Sequence, residues 1–252
     1  MKKQQRFKQI VDYLKDRKLA TVEELVPHVN VSPATIRRDL VELDDQGVVR
    51  RTHGGVTLNN FVATQLSFQE KNELFKSEKT KICKEASQLI EGGHAIILDA
   101  GTTTMEIAKN ITHLPLRVIT PDLRIALYLS QFKQIEVIVF GGKIDSSSQS
   151  CIGEHARRLL QSITTDIAFI SCNFWNIEHG VTAPTEHKST LKIDMMKSAK
   201  KNVLVADSSK YGNSSLYKIA ELEQFEEIYT DENINLQEQE LLTTLKTKIN
   251  FI

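Results

Sequence analysis

Ser32, Thr35, Arg37 and Arg38 fall within one short stretch of the chain. Short hydroxyls and forked guanidiniums are the groups that hydrogen-bond base edges and phosphates. Arg50, Arg51 and His53 form a second basic cluster shortly after. A different chemistry is written in Asp99-Ala100-Gly101-Thr102-Thr103-Thr104. Glycine lets a backbone approach a ligand, and hydroxyls and free N–H groups at the start of a helix bind anions. Asp99 would repel a phosphate but accept hydrogen bonds from sugar hydroxyls. Gly141-Gly142 and Asp207-Ser208-Ser209-Lys210 follow the same logic, with Lys210 supplying a charge to pair with phosphate.

The elements around the first two clusters are legible. Phe7, Ile10, Val11 and Leu14 recur at i, i+3, i+4 and i+7, one apolar stripe of a helix. Thr21-Val22-Glu23-Glu24 is a capping box opening a second helix. Asn30 tolerates the left-handed conformation that the following break needs. Ser32-Pro33 then supplies a cap residue and a proline at the first helical position. The third helix runs to about Gln46 with Ile36, Leu40 and Leu43 as its buried stripe, and Gly47 stops it. Val48–Thr52 and Val56–Leu58 flank His53-Gly54-Gly55 as a hairpin. Three helices and a basic hairpin make a winged helix-turn-helix, whose third helix enters the major groove by its N-terminal residues. Arg37 and Arg38 point about 100° apart on that helix, which assigns one to base edges and the other to phosphate without saying which.

Charge supports the division. The 252 residues balance 32 Lys and Arg against 32 Asp and Glu, yet residues 1–58 hold 11 basic and 8 acidic side chains. A basic head on an acidic body fits an anionic partner for the head. The composition is that of a globular protein and excludes a disordered tail, a collagen and a coiled-coil rod. No apolar run approaches the roughly 18 residues of a membrane span. MKKQQRFKQI has no apolar stretch behind it, so no signal peptide is expected. Cys83, Cys151 and Cys172 are scattered and make no C-x-x-C pair, which points to a reduced, cytoplasmic protein without a disulfide framework. Seven histidines show no ligand spacing, and no metal or cofactor is expected. His179 and His187 are read as loop residues. Ser208-Ser209-Lys210 lacks the rest of a nucleophilic site, so catalysis is not expected.

Residues 59–76 read as a linker. Beyond it, strands at 94–98, 116–120, 136–140, 166–171, 202–206 and 225–230 alternate with helices at 77–91, 105–111, 123–130, 154–161 and 190–199. That pattern predicts an α/β domain over 77–252 with a mostly parallel sheet, its ligand at the carboxyl ends of the strands.

Ser32-Pro33-Ala34-Thr35-Ile36-Arg37-Arg38-Asp39-Leu40 followed by Arg51-Thr52-His53-Gly54-Gly55-Val56 resembles the DNA-binding signature of the DeoR family of bacterial transcriptional regulators. The body is similar to the DeoR-type effector domain through Leu98–Thr104, Phe140-Gly141-Gly142, Gly180–Pro184, Leu191-Lys192 and Ala206–Gly212. The resemblance implies a sheet similar to those of ribose-phosphate isomerase and CoA-transferases. It further implies a repressor of a carbohydrate operon released by a phosphorylated sugar or sugar-like metabolite, with Glu186 and Lys192 added to the ligand-binding set. Thr120-Pro121-Asp122, Ser171–Trp175 and Thr185–Lys188 depart from the family pattern, and all three are expected to line the pocket. They bear on which effector binds. The partners expected are a double-stranded DNA operator, the effector and further copies of the chain, as a homodimer or homotetramer. Two other readings stay open: a sugar-phosphate isomerase with an accessory DNA-binding domain, and a DNA binder with a vestigial pocket.

Overall fold

A computed structural model describes residues 3–15, 17, 19–45, 48–52, 55–58, 74–145 and 147–252. The chain divides into two compact units, 1–66 and 67–252.

In the first unit α1 (Lys3–Lys15), α2 (Val22–Val29) and α3 (Pro33–Asp45) precede a hairpin of β1 (Val49–Thr52) and β2 (Gly55–Leu58). Ile10, Leu14, Leu25, Ile36, Leu40 and Leu43 meet in one core, as their helical spacing requires. The capping box closes α2: Thr21 Oγ1 accepts from the Glu24 N–H at 3.2 Å, and Glu24 Oε2 accepts from the Thr21 N–H at 2.7 Å. Asn30 turns the chain with φ 56° and ψ 50°. Asp39, inside the Arg-Arg-Asp-Leu run, is buried and takes two hydrogen bonds from Arg6, at 2.6 and 2.8 Å, which lock α1 onto α3. Gly55 pairs with Thr52 as the first residue of β2. At φ +148°, a Cβ there would stand 2.5 Å from the Ala20 carbonyl oxygen. Glycine is needed because Val56 and Ala20 exchange backbone hydrogen bonds at 2.8 and 2.9 Å, stitching the hairpin to the segment before α2. The expected stop at Gly47 and the tip residues His53 and Gly54 lie outside the described residues.

The second unit is built on a seven-stranded sheet whose strands all pair in parallel. In spatial order they are β14 (Lys248–Phe251), β13 (Glu227–Thr230), β11 (Ala199–Val205), β8 (Thr165–Ile170), β3 (Ala95–Leu98), β4 (Leu116–Thr120) and β5 (Ile135–Val139). Both faces are covered. Ile96, Leu98, Ile167 and Phe169 pack under α4 (Lys76–Ala86), α5 (Thr102–Asn110) and α6 (Leu123–Leu129). Their neighbours Ile97, Ala168 and Ile170 face the core shared with α7 (Glu154–Gln161), α8 (Glu186–Lys197) and α9 (Leu236–Thr243). This period-two alternation of two apolar sets is what an internal parallel strand must carry.

Several expected boundaries are corrected. Thr102, Thr103 and Thr104 form the first turn of α5 rather than a loop before it. α8 begins at Glu186, capped by Thr185 Oγ1, so His187 is helical and not in a loop. α4 ends at Ala86, and a 3-10 turn over Ser87–Leu89 follows. Periodicity missed the hairpin of β6 (Lys143–Asp145) and β7 (Ser150–Ile152), and also the antiparallel sheet of β9 (Phe174–Asn176), β10 (Gly180–Ala183) and β12 (Tyr217–Ala220). Strands of three or four residues are too short to display a period. α9 and the edge strand β14 were also not expected. Leu236 and Leu241 of α9 are exposed, and β14 reads Lys-Ile-Asn-Phe, so neither shows a clean apolar face.

Candidate functional site

Ser32 and Thr35 sit at the N-terminal end of α3, where Ser32 Oγ accepts from the Thr35 N–H at 3.2 Å and lies 2.9 Å from Thr35 Oγ1. The cap is therefore intrinsic to the helix. Arg37 and Arg38 are exposed, on the face opposite the buried Ile36 and Leu40. Arg50 and Arg51 are successive residues of β1, opposite Thr57 and Val56. His53 lies outside the described residues.

In the second unit the strand order reverses between β3 and β8: β4 and β5 lie to one side, β11, β13 and β14 to the other. Open parallel sheets bind ligands at such a switch point, beyond the carboxyl ends of the strands. Asp99 follows β3 and Ser171 follows β8. Asp99 is 2% exposed and accepts from the Ala100 N–H at 2.8 Å, the Ser171 N–H at 2.9 Å, Ser171 Oγ at 2.8 Å and the Lys192 ammonium. Lys192 Nζ also donates to the Ser171 carbonyl at 2.9 Å. The carboxylate thus ties two central strands to α8. With its oxygens engaged in this way, its first role is to organise the site.

A cavity of about 100 Å³ opens beside this cluster. Of the expected ligand residues it is lined by Asp99, Gly101, Thr102, Thr103, Lys192 and Lys210. The first turn of α5 forms one wall. Gly101 is its cap residue, and no side chain caps it. Thr104 does not reach the cavity: it is fully buried and its Oγ1 donates to the carbonyls of Asp99 and Gly101 at 2.6 and 3.1 Å. A Cβ on Gly101 would come 3.2 Å from Ser171 Oγ, so glycine allows the close approach of the two strand ends. Glu186, Gly141, Gly142 and Asp207 are outside the lining. Gly142 instead packs against the Ile152 carbonyl in the β6–β7 region. Asp207 accepts from the Ser209 N–H at 3.2 Å and fixes the 3-10 turn Ser208–Lys210 that carries Lys210.

Four lysines and a single carboxylate line the cavity. Of those lysines, Lys79 was not singled out in the sequence, and Lys188 was expected at the pocket only as the last residue of the departing stretch Thr185–Lys188. Lys188 stands one helical turn before Lys192, pairs with Asp145 at 3.0 Å and donates to Ser147 Oγ at 3.1 Å. Burial pushes the Asp145 carboxyl up, but hydrogen bonds from Ser147, Ser148 and Lys188 outweigh that and hold it well below the carboxylate range. Lys79, on α4, is 4% exposed. Burial pulls its ammonium down to about 8, with Lys210 acting in the same direction and Asp207 opposing. The Lys210 N–H donates to the Asp207 carbonyl at 3.0 Å, and its ammonium makes no ion pair or hydrogen bond among the described residues. Each of the three departing stretches contributes to the lining, through Pro121, through Ser171, Cys172 and Asn173, and through Lys188. Trp175 does not: it is fully buried against Tyr211, ring centroids 4.8 Å apart. Burial pushes the Cys172 thiol up to about 12, away from the thiolate form. No group of three or more His, Cys, Asp or Glu suited to a metal occurs among the described residues.

Residues 6–61 match the DeoR-like helix-turn-helix domain, and residues 75–232 match the DeoR C-terminal sensor domain. The chain belongs to the DeoR family. The helix-turn-helix regulator YgbI of Escherichia coli K12 is 37% identical over 226 residues, 89% of this chain and 88% of that protein. The lactose phosphotransferase system repressor of Staphylococcus epidermidis is 34% identical, covering 92% of this chain and 94% of its own. Ribose 5-phosphate isomerase A of Methanocaldococcus jannaschii superposes on 54% of this chain with a TM-score of 0.41 and 19% identity, over 55% of its length. Within the DeoR sensor domain the cavity therefore sits inside the matched segment, as do all four of its lysines. Among the described residues no helix is long and apolar enough to cross a membrane.

Proposed function

We propose that this DeoR-family regulator represses a carbohydrate-utilisation operon and that a phosphorylated sugar or sugar acid, bound in the cavity of the sensor domain, sets its affinity for the operator. The observation that carries the effector class is the lining: four lysines against one carboxylate, at a helix N-terminus that no side chain caps. Such a site pairs with a phosphate through charge and helix N–H groups together. The name of the Staphylococcus relative, a repressor of a lactose phosphotransferase system, fits the same class. In this reading residues 1–58 bind DNA, 59–76 link and 77–252 sense. Ser32, Thr35, Arg37 and Arg38 enter the major groove, while Arg50, Arg51 and His53 follow the backbone. The chain acts as a homodimer or homotetramer matched to half-site spacing. In this reading it acts in the cytoplasm and as a regulator rather than an enzyme; Asp99, the carboxylate that lines the cavity among the described residues, is already held by Lys192, Ser171 and the Ala100 N–H.

Selection from a random duplex pool with the full-length protein tests the DNA half. A single enriched sequence is expected, with affinity falling steeply as salt rises. Arg38→Ala costs about 1–3 kcal/mol, with relaxed specificity if it reads a base and a uniform loss if it holds phosphate. No enrichment, or an Arg38→Ala variant with unchanged affinity and specificity, contradicts this assignment.

A further inference from the structure

Lys79 does two things at once. Its ammonium lines the cavity beside Thr102, Thr103 and Lys210, and Nζ donates to the Leu74 carbonyl at 2.6 Å. Its backbone N–H donates to the next carbonyl, that of Phe75, at 3.0 Å. One residue thus clamps two consecutive carbonyls immediately before α4, at the start of the matched sensor segment. Phe75 between them has φ 53° and ψ 37°, the left-handed region that a bulky aromatic side chain rarely adopts. A residue in that region persists only where its surroundings hold it. One turn further along the same face of α4, the Cys83 thiol donates to the Thr103 carbonyl at 3.0 Å. α4 is therefore fastened directly to the first turn of α5, the wall at which an anion would bind.

We propose that Lys79 relays occupation of the cavity to the residue 74–75 turn: an anion at the N-terminus of α5 tightens the Lys79–Leu74 hydrogen bond and fixes the turn that leads into α4. The inference rests on the anionic-effector reading of the cavity. The physical step is electrostatic. An anion beside the ammonium favours its charged form, and a charged donor makes a stronger hydrogen bond to a carbonyl than a neutral amine does. Burial lowers this amine to about 8, so near that pH the tether has room to strengthen. The opposing charges are Lys210, which faces Lys79, and Asp207 and Glu106, which favour the ammonium. Ligand binding thereby acts on the strained turn, through a bond that is already in place, without rearranging the sheet.

Amide hydrogen exchange on the full-length protein at pH 8, with and without inorganic phosphate, tests the relay. In the wild type, phosphate is expected to slow exchange at residues 100–105 and, by about threefold to tenfold, at residues 74–83. At a phosphate concentration raised until slowing at 100–105 matches the wild type, Lys79→Met should still lose it at 74–83, and Lys79→Arg, which is permanently charged, should protect 74–83 without phosphate and show no further slowing with it. Wild-type slowing confined to 100–105 overturns the relay and leaves the cavity reading intact, as does equal slowing at 74–83 in Lys79→Met. No slowing in either region overturns the anion reading and the relay with it. The wild-type comparison alone decides the matter should Lys79→Met fail to fold.

Discussion

Asp99→Asn is the perturbation whose cost follows most directly from the geometry. The carboxylate is 2% exposed and holds the ammonium of Lys192, which is 7% exposed and has one other acceptor, the Ser171 carbonyl. Neutralising Asp99 leaves a buried cation without its counter-charge, and in either orientation Asn presents an N–H group where the Ala100 N–H or Ser171 already donates. Breaking a buried pair from one side costs about 3–5 kcal/mol. Lys192→Met is the informative contrast. It leaves Asp99 with three donors, from Ala100 N–H, Ser171 N–H and Ser171 Oγ. Its cost is expected to be lower, about 1–3 kcal/mol. The double variant should cost less than the two single changes added together, because the uncompensated charge is gone. The chain has one tryptophan, Trp175, buried in the sensor unit, so urea unfolding followed by its fluorescence reports on that unit. An Asp99→Asn cost below about 0.5 kcal/mol, or a Lys192→Met cost exceeding it, refutes the assignment of Asp99 as the organiser of the switch point.

Three further outcomes are expected. Lys79 titrates near 8 in the free protein and is pushed upward by a neighbouring anion, so sulfate binding should take up about half a proton at pH 8 and almost none at pH 6; calorimetry in buffers of different ionisation enthalpy measures this, and Lys79→Met should abolish it. Burial raises the Glu227 carboxyl, but hydrogen bonds from Lys201, Lys248, Tyr229 and Asn250 outweigh that and depress it to about 2. Its stabilisation is therefore complete above the ordinary carboxylate range and is lost as pH falls from about 4.5 towards 2, on the order of 2–3 kcal/mol; a Glu227→Gln variant should lose the corresponding part of the acid dependence in urea titrations. Arg6→Met leaves the 2%-exposed Asp39 without its bidentate partner and should destabilise the first unit by about 3 kcal/mol, read by circular dichroism of the helical signal.

The first unit was legible because its signals are local. A capping box, an αL asparagine, a Ser-Pro helix start and three apolar stripes each fix a short piece of chain. Asp39 shows the limit: it stands inside a basic motif that gives it no role, while its partner Arg6 stands 33 residues earlier and makes it a helix–helix tie. In the sensor unit the internal parallel strands announced themselves by continuous apolar runs such as Ile96-Ile97-Leu98. The short antiparallel strands could not. For the cavity, Gly101 and its threonines were visible, yet Thr104 turned inward because its hydroxyl closes the helix start. Lys79 was invisible because lysine on a helix is ordinarily solvated, and Lys188 was expected at the pocket only as part of the stretch Thr185–Lys188, without a role of its own. Only the packing of α4 against α5, and of Lys188 one turn from Lys192, brings them to the same space. Gly141-Gly142 carried the same local pattern as Gly101 and serves the β6–β7 region instead.

The central claim is that a small anion in the sensor cavity controls DNA binding. Fluorescence anisotropy of the full-length protein on its selected duplex, titrated with phosphorylated sugars and sugar acids beside their unphosphorylated counterparts, tests it most directly. The account predicts that at least one phosphorylated compound shifts the dissociation constant by about tenfold or more while its unphosphorylated form does not. Unchanged affinity across all the phosphorylated compounds, or an equal response to the unphosphorylated forms, would contradict it.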